Sequence, residues 1–452
     1  MSGHFISSDH DAPMLLSPNM QDWLPEKHLA RFIVSAVEQL DLRRVEDSYE
    51  GRGYRAYRPK VLLALLLYGY AVGTYSSRKI ERATVDSIAF RYIAANTSPD
   101  HDTIADFRRR VLPELPKVFL QVLLLAKELG FLKVGQVSLD GTKIKANASK
   151  HHALSHGHIG KVQAHLRREI KRLMKLADQA DNEKIDDGLD IPAEIVRRET
   201  LMEKLSAAKV KIEEREAARH AEVRAKHMQR LADRKNMQQL SGKKPPGKRP
   251  TLPKLRVEPT AQINLTDEES RIMPSADGFV QGYNAQAAVD VESMLIVASF
   301  VTQATNDKEQ IEPALEPLVS LSNDVGTVSD LLADAGYFSA ANVTACEMAQ
   351  IVPSISMRRD SHHGWLAKEL AKAPSLPEGA SATERMRQRL QSKAGRELYA
   401  KRKSTVEPVF GIIKSAMQFR AFSLRGLSNV TNEWTLVCMA FNFKRLASEA
   451  FA

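Results

Sequence analysis

The spacing of apolar residues shifts along this chain from a helical period to an alternating one and back. Over residues 1–130 the period is helical: Leu29, Phe32, Ile33, Val37 and Leu40 share one side of a helix that Pro25 is expected to open. Pro59 stands in the first turn of the next helix, and the apolar run Val61 to Ala71 inside it is too short to span a bilayer and reads as a buried helix. A polar turn from Ser98 to Asp102 then precedes Ile104, Phe107 and Val111, with Arg108, Arg109 and Arg110 interleaved. A short helix after such a turn suits a helix-turn-helix-like reader of DNA.

Strand-like runs begin at Val134 and stop after Ala148. They resume at Phe279 to Val289, where Tyr283, Ala285, Ala287 and Val289 alternate, and continue from Met294 to Val301. Between them lies a lysine-rich, helix-forming stretch. Leu166, Ile170 and Leu173 mark one helix; Leu201, Leu205, Ala208 and Ile212 mark another, which starts after Asp190 with Pro192 in its first turn. Ser241 to Pro253, rich in Lys, Pro and Gly, reads as a linker. Beyond it, Glu309 to Leu321 is a crossover helix to a strand ending at Asp334, and Ile351 to Ile355 is a further strand.

Three domains follow: 1–130, all-helical; 131–149 with 257–452, an α/β core; and 150–256, a basic helical insertion that interrupts the core's sheet. The insertion holds 26 Lys and Arg against 15 Asp and Glu, which is the whole surplus of a chain with formal net charge +10. A second basic stretch, 381–426, has 11 bases against 3 acids. Two separate basic stretches suit contact with a phosphate backbone. Cys346 and Cys438 form no disulfide framework or metal spacing, and the first 25 residues lack a secretory pattern, so a cytoplasmic protein is expected.

The candidate chemistry lies in three carboxylates. Asp140 and Asp334 each close an apolar run, Val134 to Leu139 and Val328 to Ala333, and each is followed by glycine within two residues. Aspartate before glycine is ordinary turn chemistry on its own. Glu407 stands before Pro408, which by itself suggests a helix N-terminus. Yet Tyr399, Lys403, Glu407 and Lys414 fall within roughly 80° of one another on a continuous helix, and Val406, Phe410 and Ile413 mark its buried side. Carboxylates converging from separate elements are what two hard cations need in order to clamp a phosphoryl displacement. His151, His152, His156 and His158 lack accompanying cysteines and suit a polar tract better than zinc. Asn306 and Asp307 read by default as a helix cap, and Asp267 and Arg271 carry no derivable role.

These residues resemble the bacterial insertion-sequence transposases of the DDE type, in the branch whose glutamate helix bears a Tyr, Arg, Glu, Lys signature. The resemblance runs from Ser-Pro-Asp-His-Asp-Thr-Ile-Ala-Asp-Phe-Arg at 98–108 to Phe-Arg-Ala-Phe-Ser-Leu-Arg-Gly-Leu at 419–427. It implies a ribonuclease-H-like mixed sheet with flanking helices, and Asp140, Asp334 and Glu407 as catalytic metal ligands for two Mg²⁺ ions, with Mn²⁺ as a substitute. It implies Tyr399 and Lys414 as DNA-binding signature residues. Where the family carries arginine, this chain has Lys403 with Arg402 one place earlier, and the signature base is left open between the two. The helical N-terminal domain, through Arg108 and Arg109, would bind terminal inverted repeats. The implied activity is strand cleavage and strand transfer into target DNA by a homo-oligomer assembled on DNA, associated with the nucleoid and not with a membrane. A ribonuclease-H-like nuclease that cuts without joining and a catalytically inactive DNA-binding relic are the alternatives; the intact triad argues against the relic, the helical N-terminal domain against the simple nuclease.

Overall fold

The computed structural model describes residues 19–49, 56–183, 190–242, 247–248, 250–252, 256–275, 278–357 and 379–451. In chain order the helices are α1 (Leu29–Glu38), α2 (Arg43–Glu46), α3 (Pro59–Ala71), α4 (Ser77–Asp86), α5 (Ile88–Ile93), α6 (His101–Val111), α7 (Leu115–Glu128), α8 (His156–Glu183), α9 (Ile191–Ser241), α10 (Ile311–Ser320), α11 (Ala340–Met348), α12 (Ala382–Gln391), α13 (Lys393–Ser415) and α14 (Leu427–Phe451). The strands are β1 (Gln136–Lys145), β2 (Ala153–Ser155), β3 (Gln262–Asn264), β4 (Arg271–Ser275), β5 (Gly278–Asp290), β6 (Ile296–Thr302), β7 (Asp330–Ala333) and β8 (Val352–Ile355). They divide into two compact units, one of 1–145 with 283–452 and one of 146–282.

The first unit is a mixed sheet joined to helices at both ends of the chain. Its strands lie in the order β6-β5-β1-β7-β8. β1 pairs in parallel with β7, and β7 in parallel with β8, while β5 and β6 are antiparallel. From Tyr283 to Asp290 every residue of β5 is buried, so this strand is covered on both faces. α14 is buried along most of its length and packs on β6, α3 and α7. α3 is apolar all round and buried from Leu62 to Ala71, which is how a helix at the centre of a core reads in sequence. The N-terminal helices therefore share their core with the last helix of the chain rather than forming a body of their own, because α3 has no face that can be left in water.

Several expected elements hold, and others shift for identifiable reasons. Pro59 occupies the first turn of α3, and Asp100 caps α6 by accepting from the Thr103 amide at 2.6 Å. Pro25 does not open α1: His28 is the cap, its Nδ1 accepting from the Ala30 amide at 3.1 Å, so the helix begins at Leu29. β1 does not end at Asp140 but runs on to Lys145, whose amide and carbonyl are taken up by the backbone of Arg420 and Phe422.

The second unit is built on a pair of long helices. Asp190 caps α9 by accepting from the Ala193 amide at 3.0 Å, with Pro192 in the first turn, as its sequence suggested. The helix then runs 51 residues to Gly242, which closes it in the left-handed conformation that glycine adopts without strain. Ile159 and Leu166 of α8 meet Leu205, Ala208 and Ile212 of α9 over Ile263 of β3. β2 and β3 form a two-stranded antiparallel sheet, and β4 pairs with the first residues of β5. Of the expected linker, residues 243–246, 249 and 253 lie outside the described residues. Among the described residues no helix is long and apolar enough to cross a membrane.

Candidate active site

Parallel pairing of β1 with β7 sets the two aspartates side by side. Leu139 pairs with Ala333, so Asp140 and Asp334 follow at neighbouring positions on adjacent strands. Asp140 lies within β1 and Asp334 just past the end of β7, where its carboxylate accepts from the Gly336 amide at 2.8 Å. The Asp140 carboxylate accepts from the Gly141 amide at 2.8 Å. Burial pushes its pKa up to about 6; the Gly141 amide and Arg402 oppose the shift, and Asp334 and Asp307 add to it.

The glycine after Asp140 is there for packing and not for a turn. A Cβ at Gly141 would lie 2.1 Å from Gln286 Nε2, 2.7 Å from Asp307 Oδ1 and 2.8 Å from Asn284 Oδ1. These three side chains form a polar network against the strand. Asp307 Oδ1 accepts from Asn284 Nδ2 at 2.6 Å and from Gln286 Nε2 at 2.7 Å, and Lys143 Nζ stands 3.6 Å from the same oxygen. The Tyr337 hydroxyl donates to Gln286 Oε1, and Trp434 Nε1 donates to the Gln286 carbonyl at 2.9 Å. Asp307 is therefore not the helix cap expected of it: α10 begins at Ile311 with Gln310 in the cap position, and the Asp307 carboxylate turns to β5 instead. Its signal was present in β5, where the amides of Asn284 and Gln286 fall inside the buried stretch from Tyr283 to Val289 and call for a polar partner.

Glu407 comes from α13, which packs on β1 and β7. Pro408 is inside this helix and not at its start, so Glu407 is a mid-helix residue. Arg402, five residues earlier, joins the acids: its Nη1 is 3.4 Å from Asp140 Oδ2 and its Nη2 is 3.2 Å from Glu407 Oε1. The Arg402 side chain is only 10% exposed, against 52% for Glu407. Lys403 is exposed, so of the two bases the geometry brings only Arg402 to the carboxylates. Tyr399 hydrogen-bonds to Ser356 and Arg402, and burial raises its pKa. Lys414 is half-buried, and its pKa is lowered by burial and then by the nearby Lys143.

Among the described residues no three His, Cys, Asp or Glu side chains stand close enough to hold a metal ion as they are. The Arg402 guanidinium bridges two of the acids instead, one arm toward Asp140 and the other toward Glu407. The donor chemistry nevertheless fits a hard cation: Asp140, buried and with Asp334 nearby, is costly to ionise unless a positive charge is supplied.

Arg108 and Arg109 are not brought to this site. Arg108 is 7% exposed; its Nη2 donates to the Tyr75 carbonyl at 2.7 Å and its guanidinium lies 5.8 Å from the Tyr70 ring centroid. The expectation that it reads DNA is corrected: a side chain so covered and engaged holds the fold. Arg109 is exposed and pairs with Asp106 one turn earlier.

Two family models match the chain: a transposase domain (DUF772) over residues 18–110 and a transposase DDE domain over residues 368–447. These two matches support an insertion-element transposase of the DDE type. The second match contains Glu407 and its neighbours Tyr399, Arg402, Lys403 and Lys414; Asp140 and Asp334 lie outside both matches. No curated protein and no solved structure matches the chain. Transposase domains imply DNA as the partner, and divalent metals are what DDE enzymes generally use.

Proposed function

We propose that this transposase binds the terminal inverted repeats of its own element, hydrolyses phosphodiester bonds there, and joins the freed 3′ hydroxyl to target DNA. The observation that carries the reading is the meeting of Asp140 and Asp334, on adjacent parallel strands, with Glu407 through the shared guanidinium of Arg402. The strand order β6-β5-β1-β7-β8, with its parallel and antiparallel pairings, supports a ribonuclease-H-like core. In that core the first acid rides on the first strand, the second follows the strand beside it, and the third comes from a C-terminal helix.

Asp140, Asp334 and Glu407 would hold Mg²⁺, two ions in the full site, and the metal would supply Lewis-acid activation of the nucleophile and stabilisation of the leaving oxygen. Arg402 takes the signature base position. Once the carboxylates are occupied, its guanidinium is free to make paired hydrogen bonds to a phosphate, a geometry that lysine lacks. Tyr399 holds Arg402 from the other side, and Lys414 adds charge for the backbone. A homo-oligomer on DNA, bringing two element ends together, completes the reading.

The test is cleavage and joining of a duplex that carries the DNA flanking the coding region. Asp140→Ala, Asp334→Ala and Glu407→Gln should each abolish strand cleavage while leaving affinity for the duplex nearly intact. Near wild-type nicking by any one of the three would sink the assignment. Cleavage without any joined product would leave a nuclease.

A further inference from the structure

We propose that Lys143 is a DNA-phosphate ligand of this site and that Asp307 is the residue that positions it. The proposal rests on the phosphodiester reading above and assigns two residues outside the acidic triad and its signature helix. β1 carries both ends of the arrangement, Asp140 and, three residues on, Lys143. The Lys143 side chain is 16% exposed, which is unusual for a lysine unless something holds it.

What holds it is a carboxylate fixed by other groups. Asp307 Oδ1 takes hydrogen bonds from Asn284 Nδ2 and Gln286 Nε2, and Gln286 is itself fixed by Tyr337 and by Trp434. The position of Asp307 therefore does not depend on the lysine, whereas the lysine's position depends on Asp307. Asp307 meets the ammonium through one oxygen at 3.6 Å, so it takes no more than one of the three donors.

Charge bookkeeping names the missing partner. Lys143 lies within electrostatic reach of Asp140 and Asp334 and also of Lys414, a second half-buried ammonium on α13. Asp140 and Asp334 are the groups that a metal would neutralise, and Asp307 balances one lysine. Two covered cations would then stand near each other with one fixed anion to balance them. A phosphodiester running past the carboxylates supplies the other negative charge at this place, and the free donors of Lys143 can reach its oxygens.

The measurement is the salt dependence of binding by the full-length chain to a duplex carrying the DNA that flanks its coding region, in Ca²⁺ so that binding is read without cutting. Lys143→Gln should lower the slope of log K against log salt by about 0.9, the value for one phosphate contact, and Lys143→Arg should keep it. Asp307→Asn should weaken binding in the same salt-dependent way but by less, and should add nothing on top of Lys143→Gln. If Asp307→Asn fails to fold, the Lys143 pair alone decides. An unchanged slope in a folded Lys143→Gln protein, alongside a wild type that cuts the duplex, overturns the Lys143 assignment only. A wild type that neither binds nor cuts the duplex overturns the phosphodiester reading and this proposal with it.

Discussion

The Tyr70 hydroxyl donates to the Glu433 carboxylate at 3.0 Å, across 363 positions of sequence, and Glu433 has no solvent exposure. The same carboxylate accepts from the backbone amides of Ser423, at 3.0 Å, and Leu424, also at 3.0 Å. One buried side chain on α14 thus fixes α3 and the turn that leads from α13 into α14. Glu433→Ala should cost about 3 kcal/mol of unfolding free energy, since it strands the buried Tyr70 hydroxyl and takes the acceptor from the Ser423 and Leu424 amides as well. Tyr70→Phe, which removes a single donor, should cost about half of that. Denaturant melts of the two variants check the ratio; equal and small losses would mean that the carboxylate is not what joins these helices.

Arg402 now does for Asp140 and Glu407 what a cation would do. Removing it should lower the melting temperature of the metal-free protein and, by clearing the place between the acids, tighten metal binding by about tenfold, or about 1.4 kcal/mol. Titration calorimetry of Mg²⁺ into Arg402→Gln and wild type measures this directly. If Arg402 instead serves to hold Glu407 in a ligating position, affinity will fall. Cleavage should drop in either case.

Asp140 gives the metal-free protein a distinctive pH dependence. Its folded-state pKa is raised to about 6 by burial, against an ordinary value of 3.8. Between these values the folded protein keeps a proton that the unfolded chain has released. The contribution of this carboxyl is therefore fully present below the lower pKa, is lost as pH rises through the window, and stays lost above about 6. The loss amounts to about 3 kcal/mol. Asp140→Asn, which cannot ionise, should flatten this part of the stability curve and melt higher than wild type at pH 8 without metal. A wild-type curve that is flat from pH 4 to 6.5, and parallel to that of the variant, would contradict the burial argument.

Arg108 and Arg109 are adjacent and should behave as opposites. Arg108→Ala removes the donor to Tyr75 and the cation over Tyr70, and should lower stability by about 2 kcal/mol. Arg109→Ala, at an exposed position, should leave stability within about 0.5 kcal/mol. If the N-terminal helices grip the element ends, Arg109→Ala alone should weaken binding to them more than binding to random duplex. Thermal melts and competition binding on the two variants separate these roles.

Much of the core was legible in the residues because it rests on local rules. The alternation in β5, the all-apolar α3, Asp190 with Pro192 at the head of α9, and the placing of Asp334 after a short apolar run each depend on a few neighbouring residues and their backbone preferences. Period and cap chemistry determine such elements wherever the chain puts them. The one-helix spacing of Tyr399, Glu407 and Lys414 belongs to the same class, and α13 carries all three.

What needed the third dimension was every choice between neighbours. Arg402 and Lys403 differ by one position, which is about 100° around a helix, and only the packing of α13 on β1 decides which of them faces the acids. Arg108 and Arg109 differ in the same way, and the covering of Arg108 depends on Tyr70 and Tyr75, which lie in other elements. Asp307 reads as a cap until Asn284 and Gln286 arrive from a strand about twenty residues earlier to bind it. Charge and period are properties of a segment, whereas burial and partnership are properties of a pair, and the pairs in this protein are made by distant parts of the chain.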